Sequence, residues 1–182
     1  MNENQDKVFS KTNINWYPGH MAKTKKQIQE DLKLIDVVVE VLDARIPMAS
    51  SNPDIQERIK NKKKIIALNK ADLASEEENN KWINYFKKKE ISAVLTDSNS
   101  GKGINEIIRE IEKVNCEDKE MYANKGRVGK SIRVMVLGVP NVGKSSFINR
   151  ITKKSSAQVG NKPGVTRQKE LEHVKIEDEV SD

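Results

Sequence analysis

Residues 138–145 read GVPNVGKS, and this stretch decides the predicted fold. It matches G-x-x-x-x-G-K-[ST] at every position, after an apolar run at 132–138 (IRVMVLG) and before a helical pattern at 143–152. Its two glycines let the backbone wrap so that amide groups and a helix N-terminus form a nest for an anion. A chance match is expected on the order of once in a hundred chains of this length, so the pattern predicts a phosphate loop.

The phosphate loop, residues 138–145, predicts specific contacts to a bound nucleotide. Lys144 would place its ammonium between the β- and γ-phosphates, and Ser145 would offer its hydroxyl to Mg²⁺. Lys144 is also a catalytic candidate, because charge stabilisation at the phosphates is the main catalytic effect in such sites. The residues expected to contact nucleotide here are Asn141, Val142, Gly143, Lys144, Ser145 and Ser146.

Strands and helices are predicted to alternate along the rest of the chain. Apolar, β-branched runs predict buried strands at 36–43 (DVVVEVLD), 64–69 (KIIALN), 91–96 and 132–138. Apolar residues at helical spacing predict helices at 21–35, 54–60, 76–89, 103–114 and 143–152. Residues 115–131 are expected to form a linker, 153–168 a loop and 171–180 an edge strand. This alternation predicts an α/β fold with a mainly parallel sheet and helices on both faces.

A second motif, NKAD at residues 69–72, directly follows the predicted strand 64–69. N-K-x-D at the end of a strand is typical of guanine recognition. The Asp72 carboxylate can accept from the N1–H and exocyclic amine of guanine, Asn69 can donate toward the base and tie its loop to the phosphate loop, and the Lys70 stem can lie over the purine. Without a phosphate loop, a capped helix start would be the better interpretation. With one, ligand binding at this strand end is favoured.

A third polar loop, DSNSGKG at residues 97–103, also follows a strand and precedes a helix. It is similar to the third base-contact loop of GTPases, in which Ser98 and backbone amides would meet the guanine O6. An ordinary turn with a helix cap accounts for the same residues equally well when the loop is taken alone.

Composition excludes several classes of protein. No apolar run approaches the roughly 18 residues of a membrane span, and the polar start lacks the core of a secretory signal. Cys116 is the single cysteine, so neither a disulfide framework nor a cysteine metal site is expected. A cytoplasmic location is expected instead. With 33 basic and 27 acidic residues the net charge is +6, a weak indication of an RNA partner.

The motifs occur in a permuted order, since residues 69–72 and 97–103 precede the phosphate loop. Together with WYPGHM at 16–21 and DARIP at 43–47, this order resembles the circularly permuted GTPases of the YlqF/RbgA family, which act in assembly of the large ribosomal subunit. The resemblance implies a permuted Ras-like fold, GTP and GDP with Mg²⁺, and partners among the large-subunit precursor, rRNA and ribosomal proteins. We expect a monomer with a mobile tail at 1–15 and a GTPase domain at 16–182.

The resemblance also implies roles for three further residues. Thr166 matches the switch threonine that completes the Mg²⁺ shell, and is therefore both a metal ligand and a catalytic candidate. Asn141 matches the asparagine that helps to hold a monovalent cation such as K⁺ beside the phosphates. His20 matches a histidine proposed to assist hydrolysis. A plain loop threonine, a turn asparagine and a histidine that stabilises its own turn are the alternatives.

One family motif is missing, because no D-x-x-G occurs in the 182 residues. The resemblance therefore implies a truncated member that lacks this strand and the C-terminal helical domain, and that binds nucleotide but hydrolyses it poorly. The absent strand is expected between 132–138 and 171–176, so that the last strand has lost its neighbour and residues beyond Thr152 are mobile or wrongly packed. A P-loop ATPase and a nucleotide-independent RNA-binding module are the competing hypotheses.

Overall fold

The computed structural model of the chain describes residue 26 and residues 29–123, 132–139, 141–160 and 175–176. The chain divides into two compact units, Met1–Leu34 and Ile35–Asp182. In the first unit, residue 26 and residues 29–32 are helical, within the helix predicted at 21–35 but ending three residues earlier. In the described part of the chain, no helix has both the length and the apolar character required to cross a bilayer.

Ile35–Asp182 contains a five-stranded sheet. Its strands are β1 (Val37–Asp43), β2 (Lys63–Asn69), β3 (Ser92–Leu95), β4 (Val134–Leu137) and β5 (Lys175–Ile176), arranged in the order β3-β2-β1-β4-β5. All four pairings are parallel. Val37 pairs with Lys63 on one side and with Val134 on the other, so β1 lies at the centre. The predicted parallel α/β sheet is confirmed.

Four helices connect the strands: α1 (Pro53–Ile59), α2 (Glu76–Lys88), α3 (Ile104–Ala123) and α4 (Lys144–Gly160). Two of them begin at side-chain caps, which satisfy otherwise unpaired amides. Asn52 Oδ1 accepts from Asp54 N at 3.0 Å, and Ser75 Oγ accepts from Glu78 N at 3.2 Å. The starts and ends of α1 and α2 agree with the prediction to within one residue.

Helices cover both faces of the sheet, as predicted. On one face, Val39 and Val41 of β1 pack with residues of α3 and α4, among them Ile107 and Phe147. On the other face, Leu42 belongs to a cluster with Phe86 of α2. Alternate residues of a strand point to opposite faces, so the apolar character of β1 on both of its faces follows from burial on both sides.

One charged residue lies inside this sheet. Glu40, in the middle of β1, is 2% exposed. Its carboxylate accepts from Gln56 Nε2 of α1 at 2.6 Å and lies 3.8 Å from Lys64 Nζ of β2. A buried carboxylate is tolerated only with such partners, and these three residues tie α1 to the centre of the sheet.

Two helices continue further than predicted. The linker expected at 115–131 is wrong over 115–123, where α3 continues to Ala123, and the loop expected at 153–168 is wrong over 153–160, where α4 continues to Gly160. The apolar spacing fades near Val114 and Thr152, but neither continuation contains a proline or an internal glycine. Polar residues with adequate helix propensity extend a helix that packing has already nucleated.

The last strand also differs from its prediction. β5 pairs directly with Met135 and Val136 of β4, so the expected gap between these strands and the loss of its neighbour are both wrong. The open edge of β4 presents unpaired backbone groups, and an alternating segment such as 171–176 can satisfy them. The expectation that residues beyond Thr152 are mobile or wrongly packed stays a prediction; of these residues, 153–160 in α4 and 175–176 in β5 lie in the described part.

Candidate nucleotide-binding site

The polar motifs predicted from the sequence meet at one edge of the sheet. β1, β2, β3 and β4 run parallel, so their carboxyl ends lie at the same edge. The segments that follow these four ends are residues 43–47, the guanine motif (residues 69–72), the base loop (residues 97–103) and the phosphate loop. Ligands of parallel α/β sheets bind at this edge.

The phosphate loop joins β4 to the N-terminus of α4, as predicted. Gly143 has φ +86°, and a Cβ there would lie 2.5 Å from Asn69 Nδ2, so both conformation and space require glycine. Lys144 begins α4, and its Nζ lies 3.5 Å from the Gly138 carbonyl oxygen. Ser145 and Ser146 are exposed in the first turn, where helix amide groups favour an anion. Val142 is buried; Pro140 lies outside the described residues.

Asn69 ties three of these segments together. Its Nδ2 donates to the Val142 carbonyl at 2.8 Å, which joins the guanine motif to the phosphate loop. Its Oδ1 accepts from Ser98 N at 3.2 Å, Ser98 Oγ at 2.9 Å and Thr96 Oγ1 at 3.2 Å. The predicted tie to the phosphate loop is present, and the side chain, 2% exposed, has its oxygen committed to the base loop.

Lys70 bridges the same gap from above. It adopts φ 58°, an uncommon left-handed conformation for a residue other than glycine. Its Nζ donates to the Asn141 carbonyl of the phosphate loop and lies 3.7 Å from Asp43 Oδ2. The aliphatic stem therefore spans the space between guanine motif and phosphate loop, which is compatible with its predicted place over a purine.

Asp72 lies in a short 3-10 turn, Ala71–Leu73, and is exposed. Two contacts hold this turn: Ala71 N donates to the Thr96 carbonyl at 3.1 Å, and Asn79 Nδ2 of α2 donates to the Ala71 carbonyl at 2.9 Å. The carboxylate is thus presented to solvent on a fixed backbone, as a reader of base donors requires.

The base loop is a compact turn. Asp97 N donates to the Lys102 carbonyl at 2.9 Å and its own carbonyl accepts from Gly101 N at 2.8 Å. A hydrogen bond from the Ser100 side chain is the main cause that lowers the pKa of Asp97. Both donors of Ser98 face Asn69 Oδ1, so its predicted contact with a guanine O6 stays a prediction.

Asp43 and Arg45 form an ion pair beside the guanine motif. Arg45 Nε and Nη2 donate to the Asp43 carboxylate at 3.0 and 2.7 Å, and Arg45 N donates to it at 3.0 Å. The side-chain hydrogen bond from Arg45 is the main cause that lowers the pKa of this nearly buried carboxyl. The pKa of Arg45 is raised, mainly by its side-chain hydrogen bond to Asp43 and in part by the charge of Asp72. Arg45 therefore lies near the predicted base reader.

Sequence reasoning missed several of these residues. Asp43 ends a buried strand, as Asn69 does. The rule that ligands bind at the carboxyl ends of parallel strands could therefore have identified Asp43 as a candidate site residue. Arg150 of α4 donates to carbonyls of the base loop. No local pattern marks it, because a polar position on a helix does not reveal which loop it meets.

The structure leaves part of the predicted site outside its described residues, namely His20 and Thr166. Their catalytic roles, and the role of Thr166 in holding Mg²⁺, stay predictions. Among the described residues, no group of three or more His, Cys, Asp or Glu side chains could hold a metal ion. An exposed hydroxyl such as that of Ser145 nevertheless fits Mg²⁺, which takes few protein ligands when phosphates supply the others.

Comparisons with known proteins agree with this geometry. A family model described as 50S ribosome-binding GTPase matches residues 133–181. Ribosome biogenesis GTPase A of Bacillus cereus is 44% identical over 153 residues, 84% of this chain and 52% of that protein. Mouse mitochondrial ribosome-associated GTPase 1 is 40% identical over 159 residues, 84% of this chain and 48% of the mouse protein. GNP-bound YlqF from T. maritima has a TM-score of 0.53 and 34% identity, covering 70% of this chain and 47% of that structure.

The chain spans about half the length of the curated relatives it matches. Over that span, the guanine motif precedes the phosphate loop in sequence, and the two meet in the fold through Asn69 and Val142. The Bacillus cereus and Bacillus pumilus relatives match 153 and 169 residues of the chain, which is long enough to include both motifs rather than one. The chain therefore belongs to the YlqF/RbgA family of circularly permuted GTPases.

Proposed function

We propose that this protein binds GTP and GDP at the carboxyl edge of its sheet and hydrolyses GTP as a switch in assembly of the large ribosomal subunit. The observation that carries the proposal is the 2.8 Å hydrogen bond from Asn69 to the Val142 carbonyl. It brings a motif suited to guanine and a loop suited to phosphate into one site. Relatives named as ribosome biogenesis and mitochondrial ribosome-associated GTPases support the biological role.

In this proposal each side chain has a separate task. The Asp72 carboxylate accepts from the N1–H and 2-amine of guanine, donors that adenine does not present in this arrangement. Lys144 and the amides at the start of α4 bind the phosphates and stabilise the charge that develops on them. Ser145 holds Mg²⁺, which when bound supplies charge neutralisation at the phosphates.

The remaining assignments follow the family. Thr166 completes the Mg²⁺ shell, Asn141 helps to hold K⁺, and His20 assists the attacking water. The proposed partners are the large-subunit precursor, its rRNA and ribosomal proteins, met by a cytoplasmic monomer. The net charge of +6 favours the polyanionic surface of such a particle.

A competition titration tests the nucleotide assignment. Fluorescent GDP is titrated into the protein with unlabelled GTP, GDP and ATP as competitors. We expect displacement by guanine nucleotides alone. Displacement by ATP would favour a P-loop ATPase, and no binding, with salt-sensitive RNA affinity that nucleotide does not change, would favour a nucleotide-independent RNA-binding module.

Two variants separate the halves of the site. Lys144→Ala removes phosphate contacts, so it should weaken GDP and GTP by at least about tenfold without changing the preference for guanine. Asp72→Asn replaces an acceptor by a donor, so it should weaken GDP and improve binding of xanthosine diphosphate, whose 2-oxygen accepts. Unchanged preference in Asp72→Asn would contradict its assignment as base reader.

A further inference from the structure

Arg150 connects the helix of the phosphate loop to the base loop. It lies in α4, and its half-buried side chain reaches across to residues 98 and 99. Nε donates to the Ser98 carbonyl at 2.8 Å, and Nη2 donates to the Asn99 carbonyl. A Cβ on Gly101 would lie 3.7 Å from Arg150 Nη1, so the guanidinium also lies along the far side of the turn.

These contacts fix two peptide planes of the base loop. In a trans peptide the carbonyl and the following N–H point in opposite directions. With the Ser98 and Asn99 carbonyls turned toward Arg150, the amides of Asn99 and Ser100 must point away from it. Asn99 N donates to Asp97 Oδ1 at 2.9 Å. The Ser100 side chain is the main cause that lowers the pKa of this carboxyl, and the Ser100 amide also donates to it and helps to lower that pKa. A cation on one side and a carboxylate on the other therefore hold the loop in a single orientation.

The contacts also complete a circuit around the site. Arg150 donates to the Ser98 carbonyl, Ser98 Oγ donates to Asn69, and Asn69 donates to the Val142 carbonyl just before the helix that carries Arg150. Each member of the circuit is fixed by the next, so a shift of the base loop must displace the phosphate loop or break a hydrogen bond. A planar guanidinium suits this place, because its fork can serve two carbonyls at once.

We propose that Arg150 is a positioning residue of the nucleotide site, which holds the base loop in register with the phosphate loop and so determines how well the site recognises the 6-oxygen of guanine. This inference rests on the proposed function and on the prediction from the sequence that the base loop faces that oxygen. Arg150 donates to carbonyls of the loop in this arrangement, and its effect reaches the base through their orientation.

The test compares nucleotides that differ at one position of the base. GDP and 6-thio-GDP share the N1–H and the 2-amine and differ in the acceptor at position 6. GDP and inosine diphosphate share the 6-oxygen and differ in the 2-amine, which Asp72 reads. Affinities of all three are measured for the wild type, Arg150→Gln, Arg150→Lys and Arg109→Gln. The last variant removes an exposed arginine of α3 and serves as the matched control.

For Arg150→Gln we expect about tenfold weaker GDP binding and a reduced preference for GDP over 6-thio-GDP. The preference for GDP over inosine diphosphate should stay that of the wild type. Arg150→Lys should restore part of the lost preference, since one ammonium serves one carbonyl well, and Arg109→Gln should behave as wild type. Urea unfolding of each variant, without nucleotide, reports whether the fold is intact.

Three results would overturn the proposal. If Arg150→Gln is folded and keeps the wild-type preference at position 6, Arg150 does not position the base loop. If it loses affinity for all three nucleotides equally, its role is structural only. If the wild type binds no guanine nucleotide, the proposed function fails and this inference fails with it.

Discussion

Removal of the Asn69 side chain should destabilise the protein through groups that it leaves stranded. Asn69→Ala deletes four hydrogen bonds, one to the Val142 carbonyl and three from Thr96 and Ser98. Thr96 and Ser98 are 1% and 6% exposed, so water cannot readily replace the lost partner. The two hydroxyls can rotate, whereas the Val142 carbonyl and the Ser98 amide cannot.

The magnitude follows from these two backbone groups. A buried backbone group without a partner costs about 1–3 kcal/mol, so we expect Asn69→Ala to lower the free energy of unfolding by about 3 kcal/mol. Domains of this size have a free energy of unfolding of about 5–15 kcal/mol. The variant should therefore still fold, but it should unfold at a clearly lower urea concentration than the wild type. Thr96→Val removes one of the three donors to Asn69 Oδ1. It should therefore lower the free energy of unfolding by only about 1 kcal/mol.

Urea unfolding followed by circular dichroism measures both variants without nucleotide. Asn69→Asp serves as a second comparison, because it keeps an oxygen for Ser98 and Thr96 while turning another toward the Val142 carbonyl. Because two oxygens then face each other at the phosphate loop, Asn69→Asp should weaken GDP binding by more than its loss of stability alone would suggest. A free energy of unfolding for Asn69→Ala within about 1 kcal/mol of wild type, or an equal loss in Thr96→Val, would show that these buried groups do not depend on Asn69.

Two further predictions concern a glycine and a carboxylate. Gly103 and Gly101 both have positive φ, but a Cβ on Gly103 would lie 2.0 Å from the Leu95 carbonyl oxygen, against 3.7 Å to the nearest atom at Gly101. Gly103→Ala should therefore lower the thermal midpoint far more than Gly101→Ala, and equal midpoints would contradict the clash. Because Arg45 lowers the pKa of Asp43 in the folded state, the carboxylate stabilises the protein above its unfolded pKa of about 4. That stability should fade as the pH falls through the lowered pKa, and the gap between wild type and Asp43→Asn in urea titrations should shrink from about pH 6 to pH 3; a pH-independent gap would refute it.

The parts of the molecule that local sequence dictates can be predicted well. The strand at 36–43 is marked by β-branched residues that need burial on both faces, and the phosphate loop by glycines that permit its turn. Asn69 can be identified because ligands bind at the carboxyl ends of parallel strands, so a polar residue at that position is a candidate for the site. Such signals lie within a few residues of the position that they describe.

The parts set by distant partners cannot be predicted in this way. Where α3 ends depends on propensity in a polar segment whose spacing carries no signal, and the pairing of β5 with β4 depends on an edge that no motif records. Arg150 meets Ser98 only because the fold brings α4 beside the base loop. The site therefore contains contacts that become visible only once the strand order is known.

The central position of β1 also has a consequence for the order of assembly during synthesis. Its second neighbour is β4, which lies much later in the chain. At the start of this pairing, the Asp36 carboxylate accepts from Arg133 N at 2.9 Å, and the two residues are 97 positions apart in sequence. At about 5–20 residues per second, a ribosome needs on the order of ten seconds to make that stretch. β1, β2 and β3 can associate in the meantime, and the phosphate loop can join them only afterwards. A ligand that spans the guanine motif and the phosphate loop would thus bind only chains in which this last closure has taken place, and would hold it closed.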